Sequence, residues 1–489
     1  MAYFYRTVSS GNGGTKFTLS FWAKKLRNHT NDSAVFGKNS SNNSANHQFQ
    51  VVFKGDSDGN MLQVVAWNSS GSVILLKRLH NTIEDCSSWF HVVVTIDTTL
   101  STAEDRCKIF INGIRQLYFE ASDTSNTNIA SQNDTVYPFS TNGSTSYFNA
   151  TKNTSNALVS ESDYYSYAHV ITCDGYAYEA SSFGEFDTNT YAWNFKGFSG
   201  SYGTNGYLLK FDDASNLGTD SSGNGNNLTV SGTAYKITDS PTKNLPVMDN
   251  YFDAYRYAPS KGNLQVASTG DGGGSDYYRM IPATQAITGG KFYWEVKILS
   301  RQNSGLVMIG LIETDTYTNH HDEGASNTIT HNHFGHHTNS VAYYSTNAVH
   351  PSSPNDGRII YGPSNTVIQS GYDAFTTDDV IGVAFDADNG KVYWSKNGTW
   401  QNSGDPTSGS TGTGAYSLTM TRTYGGRYYY YPAITNFGTM TVGINFGNGR
   451  FGTTALASGV NDNEGIGTFE YTIPSGYRAL CVQNIGHIG

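Results

Sequence analysis

The stretch from Asp379 to Trp400, DVIGVAFDADNGKVYWSKNGTW, constrains the fold more than any other part of the chain. It reads as a strand, an Asp388-Asn389-Gly390 turn, a second strand and an Asn397-Gly398 turn. Asn and Gly tolerate the left-handed backbone that tight hairpin turns require, so two antiparallel strands must lie side by side here. The same logic extends outward. KFTLSFWAKK alternates Phe17, Leu19 and Phe21 with Thr18 and Ser20, the pattern of a half-buried strand. HQFQVVFKG, MLQVVAWNSSG and SVILLKRLH follow as strands between Gly, Ser and Asn turns. GGKFYWEVKIL puts Phe292, Trp294 and Val296 on one face, GLVMIGLIE suits a strand buried on both sides, and YYYYPAITN and MTVGINFG complete a sheet. No long stretch has helical periodicity. With 53 glycines and 34 tyrosines, the chain favours sheets joined by many turns. The expected class is all-β.

Charge narrows the partners. The net charge is −10, and the densest basic patch, Lys24 to Arg27, is too short to track a phosphate backbone, so no nucleic acid is expected. No apolar run reaches membrane-spanning length, so no membrane insertion is expected. The N-terminal MAYFYRTVSS does not read as a secretory signal. Cys86, Cys107, Cys173 and Cys481 are too few and too scattered for a disulfide framework or a zinc knuckle. Asn-x-Ser/Thr triplets such as Asn28-His29-Thr30 and Asn397-Gly398-Thr399 follow from composition and are not read as glycosylated.

Several segments carry resemblances. A strand beginning Trp89-Phe90-His91-Val92 and reaching Asp97, followed by one ending at Asn112-Gly113, resembles the laminin-G and pentraxin-like branch of the concanavalin A-like sandwiches. Trp89 and Val92 read as core and His91 as a packed sheet histidine. DYYSYAHVITCDGYAYEASSFGEFD resembles the closing segment of laminin-G-like proteins of tailed phages, especially marine ones, with Phe183 to Asp187 its most specific piece and docking its expected role. GSYGTNGYLLKFDDASNLGTDSSGNGNN and the C-terminal IPSGYRALCVQNI resemble further segments of the same phage proteins. The Lys291–Val296 strand, Ile309-Gly310-Leu311, the Asp379–Trp400 hairpins and the YPA…NFG close resemble, in order, a SPRY domain. The resulting plan is a laminin-G-like sandwich over 1–200, a connecting segment over 201–285, a SPRY-like sandwich over 286–450 and a closing segment over 451–489. The stretch from Lys236 to Asp276 reads as a linker with little core.

Chemistry-bearing patterns are sparse. Glycoside hydrolases of the concanavalin A-like class place two carboxylates on one strand, but Glu185-Phe186-Asp187 and Glu313-Thr314-Asp315 both lack the second glutamate. No nucleophile elbow, H-E-x-x-H helix or phosphate loop occurs. Catalytic residues are therefore not assigned. Seven of the 13 histidines fall between His320 and His350. His331, His333, His336 and His337 are candidate ligands for a divalent metal, with Asp322 and Glu323 nearby; one chain would leave the ion undersaturated, whereas three about a threefold axis would complete it. The competing reading is a solvated loop. Asp212, Asp213, Asp220, Asn224 and Asn227 offer hard oxygens for calcium, or serve turns. For recognition the candidates are Arg427, Tyr428, Tyr429, Tyr430 and Tyr431, where alternation buries about two rings and exposes the others, with Tyr343, Tyr344 and Trp400 at the same end. SPRY domains bind through loops at one end of the sandwich, which is what that resemblance implies here.

The expected function is a non-enzymatic adhesin on the virion surface of a tailed phage, a tail-fibre or receptor-binding subunit contacting a host surface glycan or protein. The resemblance implies other virion proteins as partners, and the function class a homo-oligomer, with a trimer favoured. A head-decoration or fibre-assembly protein and a polysaccharide depolymerase are the alternatives. The sequence opens directly into a strand without a helical anchor, so attachment through a sandwich surface or another chain is expected.

Overall fold

The computed structural model describes residues 2–8, 13–27, 29, 31–39, 48–55, 60–68, 70–120, 129–139, 144–152, 158–159, 164–250, 259–268, 279–301, 306–313, 334, 339–345, 357–362, 366–422 and 425–485. The chain divides into two compact units, Met1–Lys236 and Ile237–Gly489. Both are antiparallel β-sandwiches, as the alternation in the sequence requires.

In the first unit a seven-stranded sheet runs in the spatial order Thr229–Ser231, Tyr3–Thr7, Thr145–Phe148, Ser33–Asn39, Phe49–Phe53, Leu62–Trp67 and Val73–Arg78. A six-stranded sheet runs Tyr207–Leu209, Tyr165–Asp174, Lys16–Lys25, Trp89–Asp97, Cys107–Ile111 and Ile114–Arg115. Phe17, Leu19, Phe21, Val92, Val94 and Ile96 of the second sheet meet Phe36, Phe49, Phe53 and Val64 of the first in one core. The aromatic rings in it pack edge to face, as Phe17 does with Phe49 at 5.3 Å.

The Lys16–Lys25 strand departs from expectation: it is covered on both faces, with Thr18 and Ser20 closed off as completely as Phe17. The reason lies in the segment after Asp174, which folds back over the polar face of this sheet. Thr18 Oγ1 donates to the Tyr176 carbonyl and accepts from Tyr178 N–H, both at 2.9 Å. Phe183, Ala180 and the half-buried Phe198 then pack on Val93, Phe110, Ile171 and Cys173 as a third layer.

The second unit pairs Gln265–Ser268, Met440–Asn445, Lys291–Arg301, Val380–Asp386, Lys391–Lys396 and Thr399–Trp400 in one sheet. The facing sheet runs Arg279–Pro282, Tyr430–Phe437, Leu306–Glu313, Val341–Ser345, Gly357–Tyr361 and Thr366–Tyr372. Phe292, Trp294, Val296 and Ile298 point into its core, as the alternation predicts. Asn397 at φ 49° and Gly398 at φ 80° form the expected turn, and Asn397 Oδ1 accepts from Val380 N–H at 2.8 Å to close the hairpin.

The unit boundary corrects the expected connecting segment. Residues 201–236 belong to the first sandwich, where Tyr207–Leu209 pairs with Tyr165–Asp174 and Thr229–Ser231 with Tyr3–Thr7. Residues from Ile237 belong to the second, and Leu245, Val247, Met248, Leu264 and Val266 are core residues there rather than linker. The closing segment is likewise part of that unit: Phe469, Ile473, Tyr477 and Ala479 cover the outer face of its first sheet against Tyr293 and Tyr393. All four cysteines are buried free thiols.

Candidate ligand-binding rim

Most of the residues singled out by motif serve the architecture. His91 sits in the middle of the first unit's second sheet, stacked on Trp22 with centroids 4.8 Å apart. Its Nδ1 accepts from Trp193 Nε1 at 3.0 Å and its Nε2 lies 2.8 Å from Ser20 Oγ. Because the indole can only donate, the imidazole carries its proton on Nε2 and gives it to Ser20. That pair is wired the wrong way round for the ring to take a proton from serine. Burial, with a smaller contribution from His169, pushes His91 down to about 3, so the ring is neutral. His169, at φ 48°, stacks on Phe195 at 4.0 Å, and burial pushes it down to about 4. Trp193 and Phe195 are alternate residues of one short strand that pairs with Gly184–Phe186. Two imidazoles thus hold one hairpin of the third layer. The indole of Trp193 passes so close to Gly113 and Gly184 that a β-carbon at either would overlap it. The Asn112-Gly113 turn and the Phe183–Asp187 run are a latch, which matches the docking role expected for the latter.

Of the oxygens considered for calcium, those of Asp213, Asp220 and Asn227 are engaged. Asp220 accepts from Leu208 N, Ser222 N, Ser222 Oγ and Asn226 N at 2.8–2.9 Å. Asn227 Oδ1 accepts from Asp220 N at 2.8 Å, and the Asn224 amide donates to Gly203 O and Gly206 O. Asp213 accepts from Ser215 N and Oγ. A cation at Asp213, Asp220 or Asn227 would have to displace these donors. Among the described residues no group of three or more His, Cys, Asp or Glu is placed to hold a metal ion. His331, His333, His336 and His337 lie outside the described residues. Phe334, in their midst, is fully buried against Met280, Met308, Ile312 and Tyr344.

Glu295 is a buried carboxylate that sequence reasoning missed. Its oxygens accept from Tyr293 Oη at 3.1 Å, Asn445 Nδ2 at 3.2 Å, Glu470 N at 2.8 Å and Tyr471 N at 2.9 Å. Burial pushes it up to about 7 against the pull of these donors. It fastens the closing segment to the sheet.

The tyrosines sort by sheet face. Tyr343 is fully buried, donates to the Asp373 carbonyl and packs on Phe375 at 4.9 Å. Tyr430 is fully buried and donates to Thr419 O at 2.8 Å. Neither ring has a face to offer a ligand, so both leave the candidate set. Tyr344 and Tyr431 pack with Met308 and Ile360 on the outer face of the sheet, the former nearly closed off. Trp400 packs with Tyr293 and Tyr393 beneath the closing segment, in a different cluster from the other candidates. What remains is Arg427, Tyr428 and Tyr429, the last 49% exposed.

The fold adds partners to these. Tyr361 and Tyr416 lie 5.8 Å apart, and with Tyr428 they are half-buried against the core around Tyr430. Tyr428 is 6.3 Å from Tyr430, and the Arg422 guanidinium lies 5.2 Å over the Tyr428 ring. The Tyr430 hydroxyl is pushed up by burial and then by Glu313, Tyr361, Tyr428 and Tyr416, which places the rings around one point. Burial pushes Tyr416 up to about 12, so its phenol is neutral. Arg427 is exposed and donates from Nη2 to Ala387 O at 2.6 Å. The result is a rim of three half-buried phenols and two guanidiniums, with Tyr361 and Tyr416 on strands and Arg422, Arg427 and Tyr428 in the segment before Tyr430–Phe437. Such a surface presents ring faces, hydroxyls and N–H groups together, and has no nucleophile–base pair within it. Tyr361 comes from a strand far from the others in sequence, which is why only the fold reveals it.

This rim lies in the second sandwich, part of which matches a known family. Residues 291–420 match the SPRY domain family. The chain also shares distant likenesses with solved structures. The SPRY domain of human HERC1 is 13% identical, over 42% of this chain and 95% of that one, with a TM-score of 0.23. The heptameric SAP-like pentraxin of Limulus polyphemus is 15% identical, over 36% and 71%, with a TM-score of 0.25. A Bacteroides ovatus protein, provisionally described as carbohydrate binding, is 15% identical, over 48% and 57%, with a TM-score of 0.30. No curated protein matches the chain.

Proposed function

We propose that the chain is a non-enzymatic adhesin on the surface of a tailed-phage particle, with a laminin-G-like first sandwich, and that its SPRY sandwich holds a host-surface glycan at the tyrosine–arginine rim. The observation that carries this reading is the convergence of Tyr361, Tyr416, Tyr428, Arg422 and Arg427 at one edge of the core. Half-buried phenols are already fixed in place, so little entropy is lost when a sugar ring settles on them. The absence of catalysis rests on the engaged state of His91, Ser20, Asp220 and Glu295, each committed to holding the fold. The phage setting rests on the DSSGNGN, FGEFD and PSGYRAL segments quoted above. Weak single-site binding would be multiplied by copy number in a homo-oligomer, a trimer by preference, assembled with other virion proteins.

Purified chain applied to an array of bacterial envelope polysaccharides tests this. Retention without release of reducing ends supports it; release of reducing ends would make the protein a depolymerase. Gold labelling on the capsid shell of intact particles, rather than the tail, would instead make it a decoration protein.

A further inference from the structure

We infer that the rim selects an anionic saccharide, one bearing carboxylate or sulfate groups, rather than a neutral one. This rests on reading the rim as a glycan site and adds the ligand's charge.

The chain as a whole is acidic, with 40 Asp and Glu against 30 Lys and Arg. Yet from Pro406 to Asn461 it carries no Asp or Glu at all, while Arg422, Arg427 and Arg450 fall within that run. The run supplies Tyr416, Tyr428 and Tyr429 as well, so two of the rim's three phenols stand in a long acid-free stretch. Lys391 reaches the same strand pair, its Nζ donating to Ser417 Oγ at 2.8 Å. Of the nearby acids, Asp386 is buried and paired with Lys291 at 3.1 Å, Glu313 is buried, and Asp388 is the exposed one, accepting from Gly290 N at 2.7 Å.

Two magnitudes decide how this charge acts. The field of the −10 net charge is screened beyond about 8 Å at physiological salt, so an incoming ligand senses the rim and not the whole protein. Within that range a guanidinium–carboxylate or guanidinium–sulfate hydrogen bond is roughly twice as strong as a neutral one. Arg427 is suited to this: among the described residues its guanidinium makes one hydrogen bond, to Ala387 O, and it is exposed. Arg422, 5.2 Å from the centre of the Tyr428 ring, adds positive charge beside the ring face. A neutral sugar hydroxyl would accept a hydrogen bond from Arg427 too, but only an anion adds the opposite charge that strengthens it.

The test is retention of the full chain on immobilised alginate, dextran sulfate and dextran, at low and at high sodium chloride. Retention on an acidic polymer should exceed that on dextran by roughly tenfold or more, and should fall steeply as salt shortens the screening length. Alginate retention identifies carboxylate, and retention on dextran sulfate alone identifies sulfate. The Arg427→Gln variant should lose most of that retention while melting at the wild-type temperature. Equal, salt-insensitive binding to dextran overturns the charge inference but leaves the rim as a glycan site. Acidic-polymer binding that Arg427→Gln does not alter also overturns it. Retention on none of the three overturns it as well, and the envelope-polysaccharide array then decides separately whether the glycan reading survives.

Discussion

Replacing His91 by glutamine should remove about half of the acid sensitivity that buried histidines give the first sandwich. In the folded chain burial pushes His91 down to about 3 from its ordinary 6.5. The folded state therefore stays unprotonated while the unfolded chain takes up a proton as pH falls below about 6.5. A depressed histidine leaves stability intact above the unfolded value and erodes it on the way down, by about 1.4 kcal/mol per pH unit. Between pH 7 and pH 4 the cost is about 3 kcal/mol, a large part of the 5–15 kcal/mol that typically holds a domain together, as order-of-magnitude figures. Glutamine can accept from Trp193 Nε1 and donate to Ser20 Oγ, as the imidazole does, yet does not titrate. Urea unfolding of both proteins at several pH values, followed by the fluorescence of Trp22, Trp89 and Trp193, supplies the comparison. The variant should be somewhat less stable at pH 7 and should close the gap, or overtake, by pH 4. Parallel curves for the two proteins across that range would refute the neutral, Trp193-accepting imidazole. The residual acid sensitivity of the variant belongs in part to His169, pushed down to about 4.

Further outcomes follow from single contacts. Gly184→Ala should destabilise the first unit by about 2 kcal/mol or more, because the added methyl meets the Trp193 indole; a wild-type melting temperature would mean that the hairpin is not docked. Asp220→Ala removes the acceptor of four hydrogen bonds and should cost about 3 kcal/mol, whereas EGTA should leave the melting temperature of the wild type unchanged; a drop with EGTA would restore calcium to this loop. Glu295→Gln sets an amide NH2 against backbone donors at Glu470 and Tyr471 and should cost about 2 kcal/mol, with faster proteolysis after residue 453; unchanged proteolysis would dissociate Glu295 from the closing segment.

Local pattern revealed what local physics controls. The Asn397-Gly398 turn, the inward row of Phe292, Trp294 and Val296, and the strand around His91 are set by neighbours in sequence. The strands Gln265–Ser268 and Arg279–Pro282 were hidden within the expected connecting segment because each is four residues long and pairs with the distant Met440–Asn445 or Tyr430–Phe437. Thr18 and Ser20 looked solvent-facing because the third layer that covers them comes from residues beyond Asp174. The tyrosine run illustrates the limit most clearly. Alternation correctly implied that the rings divide between faces, but which face meets the core depends on the partner strand, and that sent Tyr430 inward and Tyr429 outward. Tyr361 and Tyr416 gave no signal of their own, since their convergence with Tyr428 is a product of topology. The Arg427–Tyr431 run was the cue to the rim that the sequence holds openly.

The central claim is that this rim is the ligand surface, and the affinity of a Tyr428→Leu variant measures it most directly. Leucine preserves the apolar contact toward Tyr430 while removing the ring face and the hydroxyl. On the polysaccharide that best retains the wild-type chain, the account predicts a loss of roughly tenfold or more, the range of about 1–2 kcal/mol expected for one aromatic contact, with thermal unfolding unchanged. Wild-type affinity in that variant would contradict it.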